Sequence, residues 1–184
     1  MFIQTEATPN PATLKFLPGR DVMTAGTVNF PTAVAAERSP LARRLFALDG
    51  VTGIFFGADF ITVSKDGATG WDDLKPGVLG AIVEHYASGE PILADAPAAP
   101  AEAAATGPDS EIVEQIKELL ETRVRPAVAQ DGGDITFHDF EDGVVYLHMQ
   151  GSCAGCPSST ATLKSGIENM LRHYIPEVTE VRAV

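Results

Sequence analysis

Apolar positions change their period several times along this chain, and each change marks an element. Residues 2–8 and 13–17 are rich in apolar and β-branched side chains and read as strands, separated by Pro9-Asn10-Pro11 and closed by Pro18-Gly19. Ser39 followed by Pro40 is a helix start, and Leu41, Leu45, Phe46 and Leu48 repeat at helical spacing towards Gly50, a candidate left-handed cap. Residues 51–56 and 60–65 read as a hairpin around Gly57-Ala58-Asp59. Val78, Leu79, Ile82, Val83 and Tyr86 then mark a second helix, stopped by Gly89 and Pro91. His85 lies on that helix, and a lone histidine there is expected to be a surface or hydrogen-bonded side chain.

The pattern resumes after residue 108. Asp109 or Ser110 can cap a helix whose first turn carries Glu111 and Glu114, and whose apolar face is Ile112, Val113, Ile116, Leu119, Leu120 and Val124. Pro126 is expected to kink or end it, and Asp131-Gly132-Gly133-Asp134 reads as a flexible turn. Residues 135–140 and 144–149 alternate as strands joined at Asp142-Gly143, a strong signal for a tight hairpin. Leu163, Ile167, Met170, Leu171 and Tyr174 form another helical stripe, and residues 177–184 read as a last strand. A strand, crossover helix and strand of this kind favours a parallel connection.

Between the two patterned segments lies a tract of alanine and proline without large side chains, which cannot bury enough apolar area to offset its ordering entropy. The expected organisation is therefore a domain at 1–90, a semi-stiff linker at 91–108 and a second domain at 109–184. The fold class is α+β, with two small domains that each pack a few-stranded sheet with helices, the second in the order α-β-β-α-β. The formal net charge of −12 argues against nucleic acid or an anionic membrane surface as partner. The second domain is the more acidic, with six basic against thirteen acidic residues, compared with seven against ten over 1–94. No apolar stretch is long enough to span a bilayer, and residues 1–6 lack the features of a signal peptide, so a reducing cytosol is expected.

Both cysteines lie in Gly151-Ser152-Cys153-Ala154-Gly155-Cys156-Pro157, between a strand end and a helix start. Two intervening residues let both sulfurs face one metal or each other, and the glycines permit a tight turn. A helix start favours the thiolate, the form that binds metals and attacks disulfides, and Ser158 and Ser159 could add hydroxyl donors. Redox exchange, zinc binding and iron–sulfur binding all use such a pair. An iron–sulfur cluster or a closed zinc site takes four ligands, so two thiols make half a site, completed most simply by a second copy across a two-fold axis. His138 and His148 are the competing completion, disfavoured because His148 alternates away from the face shared by Val145, Leu147 and Met149. Asp131 and Asp134 could serve as acids or hard-metal ligands, but beside two glycines they read first as turn residues.

The segment with Asp131-Gly132-Gly133-Asp134 and the cysteine turn closely resembles the NifU C-terminal domain. The start, with Pro9-Asn10-Pro11 and Thr13-Leu14-Lys15-Phe16-Leu17-Pro18-Gly19, resembles the domain that precedes it in Nfu-type proteins. The resemblance implies a non-enzymatic iron–sulfur scaffold or carrier. Cys153 and Cys156 would hold a [4Fe–4S] or [2Fe–2S] cluster between two chains and deliver it to apo-proteins, while the first domain docks clients or assembly factors. A dithiol–disulfide oxidoreductase and a zinc-binding interaction module remain the alternatives for the same pair. A bacterial cytoplasmic location is the matching expectation.

Overall fold

A computed structural model describes residues 1–94, 109–154 and 157–184, the side chains of 157–160 excepted. The chain divides into two compact units, Met1–Ala99 and Pro100–Val184. The expected linker falls, from residue 95 on, outside the described residues.

The first unit is built on an antiparallel sheet. Its strands are β1 (Gln4–Ala7), β2 (Thr13–Leu17), β3 (Val28–Phe30), β4 (Val51–Phe56) and β5 (Ile61–Lys65), in the spatial order β1-β2-β5-β4-β3. The expected hairpin forms between β4 and β5. β3 was not anticipated, because three residues between turns carry no readable period; Phe30 on it is fully buried and meets Phe56 edge-on at 5.2 Å. Two helices complete the core, α1 (Pro40–Phe46) and α2 (Trp71–Ser88). Ser39 caps α1 as expected, its Oγ accepting from the Ala42 amide at 3.1 Å while donating to the Ile92 carbonyl at 2.6 Å. Gly50 does not cap that helix: α1 ends at Phe46 with Ala47 in the right-handed region, and the φ of +95° at Gly50 serves the turn into β4. α2 starts seven residues before the apolar stripe that announced it, and Gly89 closes it with a φ of +71°.

His85 departs from expectation. It is 1% exposed, and neither ring nitrogen has a hydrogen-bond partner. Burial lowers its pKa below the ordinary imidazole value; Glu90 opposes the shift and Arg44 adds to it.

The second unit layers helices on one face of a three-stranded sheet. α3 (Ser110–Leu119) runs through a π-helical turn at Leu120–Val124 into α4 (Arg125–Gln130). Pro126 therefore sits in the first turn of α4, and the helical path is rewound around it without ending. The sheet has the order β6 (Gly133–Glu141), β7 (Val144–Gly151), β8 (Glu180–Ala183), with α5 (Pro157–Tyr174) crossing from β7 to a parallel β8. Asp142 and Gly143 have φ of +51° and +80°, the paired left-handed geometry of a tight hairpin turn. Ile116, Leu120, Val124 and Val128 from the helical run pack with Ile135, Val145, Leu147 and Val181 from the strands and Ile167 and Leu171 from α5. Cys153 belongs to this same core.

Candidate functional site

The cysteine turn leaves β7 at Gly151, whose φ of +64° needs glycine. Gly151 pairs across the ladder with Gly133, the first residue of β6. Two bonds tie the next residue to the preceding turn: the Ser152 amide donates to the Gly132 carbonyl at 3.2 Å, and the Ser152 hydroxyl donates to the Asp131 carbonyl. Ser152 is consequently 3% exposed. The Ala154 amide closes the turn on the Gly151 carbonyl at 3.1 Å.

This anchoring carries the Cys153 side chain inward, to 6% exposure. Its sulfur rests where a side chain on Gly133 would stand: a Cβ there would lie 2.6 Å from Cys153 Sγ, 2.9 Å from the Gln150 carbonyl oxygen and 3.1 Å from the Cys153 amide nitrogen. Gly133 is thus more than a flexible turn residue; its missing side chain makes room for the thiol. Burial pushes the Cys153 thiol up to about 11, the Ser152 hydrogen bond opposing and the charges of Asp131 and Asp134 adding. The thiolate that a helix start was expected to favour is not favoured at Cys153, because desolvation disfavours the charged form. Cys156 precedes α5 in the chain and lies outside the described residues, as do the side chains of Ser158 and Ser159.

Asp134 is corrected as well. It is a strand residue, 3% exposed, and Arg125 grips it with two parallel bonds, Nε to Oδ1 at 2.8 Å and Nη2 to Oδ2 at 2.9 Å. The Ile135 amide also donates to Oδ1 at 2.8 Å. Arg125 further pairs with Glu121 one turn earlier, and these carboxylates hold the guanidinium firmly in its charged form. The grip fastens α4 to the start of β6, directly under the cysteine turn. Nothing in local sequence pattern announces a bond between residues nine apart on a helix and a strand.

His138 and His148 do not converge on Cys153. Val145 and Leu147 are fully buried in the core that Cys153 joins, and His148 alternates to the opposite face of β7. Among the described residues no group of three or more His, Cys, Asp or Glu side chains is placed to hold a metal ion. Among the same residues, no helix is long and apolar enough to cross a membrane.

Comparison with known proteins accounts for both units. Residues 116–182 match the NifU-like domain family, and residues 3–89 match the family described as scaffold protein Nfu/NifU N terminal. NifU-like protein 4, mitochondrial, from Arabidopsis thaliana is 54% identical over 98% of this chain and 65% of its own length. The human NFU1 iron-sulfur cluster scaffold homolog, mitochondrial, is 52% identical over 100% of this chain and 72% of its own length. Its counterpart in Drosophila sechellia is 55% identical over 100% of this chain and 65% of its own length. This chain thus spans about two thirds of the length of such relatives. A solution structure of a NifU-like protein from Saccharomyces cerevisiae aligns with a TM-score of 0.47 at 26% identity, covering 52% of this chain and 86% of that one. The expectation of a bacterial cytoplasmic protein is overturned by these relatives, which are named as mitochondrial. It rested on the first residues of the sequence, which do not decide location. With both units matched and with relatives of this identity and coverage, the chain belongs to the Nfu-type, NifU-like family of iron–sulfur cluster scaffold proteins.

Proposed function

We propose that this protein carries an iron–sulfur cluster as cargo, taking up [4Fe–4S] through Cys153 and Cys156 of two copies and passing it to apo-proteins. The observation that carries the reading is the cysteine turn itself. Two thiols with two residues between them lie in sequence between a strand end and a helix start, and the first is anchored there with a glycine opposite to admit its sulfur. Two thiols per chain against the four ligands a cluster takes argue for a second copy. The pair is the complete set of cysteines in the chain, so no third thiol competes for the role. Thiolates are the ligating species, and burial disfavours the thiolate of Cys153; loading therefore releases its proton and favours that thiol drawn out of the core. The same cost on rebinding favours release to a client whose thiolates are already exposed. The first domain would then dock clients or assembly factors.

Anaerobic reconstitution with iron and sulfide tests this, reading iron, acid-labile sulfide and visible absorbance per chain together with mass in solution. The expected result is one cluster of four irons per two chains and a doubled mass. Cys153→Ala and Cys156→Ala are each expected to abolish uptake. A full cluster on a monomer would overturn the two-copy arrangement, and a variant that keeps its cluster would reassign the ligands.

A further inference from the structure

The open face of the second sheet carries a histidine pair that the cluster chemistry does not use. His138 and His148 come from the adjacent antiparallel strands β6 and β7, and their rings lie 4.4 Å apart, centroid to centroid, at 63°. The ladder sets Thr136 opposite His148 and Phe137 opposite Leu147, then jumps to Asp139 opposite Tyr146. His138 is the extra residue of this bulge. Two residues beyond Thr136 on the same strand, it lies on the face that Thr136 shares with His148, and there the two rings meet.

His148 is also held in one orientation. Its Nδ1 lies 3.2 Å from the Val184 backbone oxygen, which only accepts, so Nδ1 carries the proton. In the neutral ring the lone pair then sits on Nε2. A ring N–H donated to a carbonyl is the arrangement that orients metal-binding histidines and raises their basicity. Val184, the residue after β8, is itself fastened to β7, its amide donating to the Leu147 carbonyl at 2.9 Å. His138 is exposed and His148 half-buried, so an ion can reach the pair from solvent.

We propose that His138 and His148 form a second metal site, separate from the cysteine turn and on the opposite face of the sheet, for a divalent ion of the copper, nickel and zinc class with water completing its shell. Imidazole nitrogen selects those ions over magnesium and calcium, which prefer oxygen ligands. Two ligands give a site that exchanges its ion readily.

The test uses the full chain with Cys153→Ser and Cys156→Ser, which removes the thiols as competitors and makes the outcome independent of the cluster reading. Titration with Cu²⁺, followed by calorimetry and by electron paramagnetic resonance, is expected to show one ion per chain coupled to two nitrogens and undisplaced by excess Mg²⁺. His138→Ala and His148→Ala, each added to that background, are expected to weaken binding at least tenfold and leave one coupled nitrogen. Both rings lie outside the core, so circular dichroism should report the same fold throughout. Copper binding that neither histidine substitution changes, or a signal with one nitrogen before substitution, would overturn the proposal and leave the pair as a packing contact.

Discussion

Replacing Gly133 by alanine probes the packing beneath Cys153 most directly. The added Cβ would stand 2.6 Å from the sulfur, 2.9 Å from the Gln150 oxygen and 3.1 Å from the Cys153 nitrogen, where ordinary contacts lie beyond about 3.4 Å. The sulfur can rotate away, but the other two atoms are backbone on the ladder and in the anchored turn. Relief therefore requires the 150–153 segment to shift. Overpacking of this kind costs about 1–3 kcal/mol, partly offset by about 0.4–1 kcal/mol from the stiffer unfolded chain, leaving a net loss of roughly 1–2 kcal/mol. At about 4–8 °C per kcal/mol for a domain of this size, the second unit should melt roughly 4–16 °C lower. The first unit holds the chain's one tryptophan, Trp71, so tryptophan fluorescence serves as an internal control while circular dichroism follows the affected transition. Mass-spectrometric mapping of iodoacetamide labelling should show Cys153 reacting faster than in the parent protein, because the displaced thiol loses its burial. An unshifted transition with unchanged labelling would refute Gly133 as the seat of Cys153. A lowered transition with unchanged labelling would assign the clash to the Gln150 carbonyl alone.

Arg125→Ala strips the guanidinium from a carboxylate whose side chain is 4% exposed and should cost the second unit about 2–3 kcal/mol in urea unfolding, below the fully buried range because Arg125 itself is 26% exposed and the Ile135 amide still donates to the carboxylate. A loss under about 0.5 kcal/mol would mean that water replaces the guanidinium at no cost. His85 predicts a pH dependence in the first unit. Its folded pKa is lowered, so the unfolded chain binds the proton more tightly, and stability should fall as pH drops below about 6.5, by at most about 1.4 kcal/mol per unit. His85→Leu should flatten that profile, read from Trp71 fluorescence during unfolding at pH 7, 6 and 5, and should stabilise the unit at pH 7 by about 1 kcal/mol by removing two unpartnered buried nitrogens. An unchanged slope in the leucine variant would show that another group carries the acid sensitivity.

Most elements were legible because their signals are local. The Asp142-Gly143 turn, the Ser39 cap and the left-handed Gly89 each depend on residues within one turn of each other, and each forms as read. The stripes of the second unit were legible for the same reason, since a single apolar face repeats through α3, the π-helical turn and α4. Failures came where distant segments decide. β3 is defined by its pairing with β4, α2 gained two turns ahead of its apolar stripe, and His85 is buried by what packs over its helix.

For the candidate site, sequence alone determined that both thiols fall in one run of seven residues between a strand pattern and a helix pattern, and that they are the chain's complete set of cysteines, the count behind the proposal of a shared cluster. Those conclusions need only residue order and counting. Tertiary structure decided that Cys153 points into the core, that Gly133 makes room for its sulfur, that Asp134 is clasped by Arg125, and that the rings of His138 and His148 meet on the far face. Each of these depends on the register of β6 against β7, where a slip of one residue exchanges the faces of every side chain. That register is set by the whole core and is not written in any one stretch of the chain.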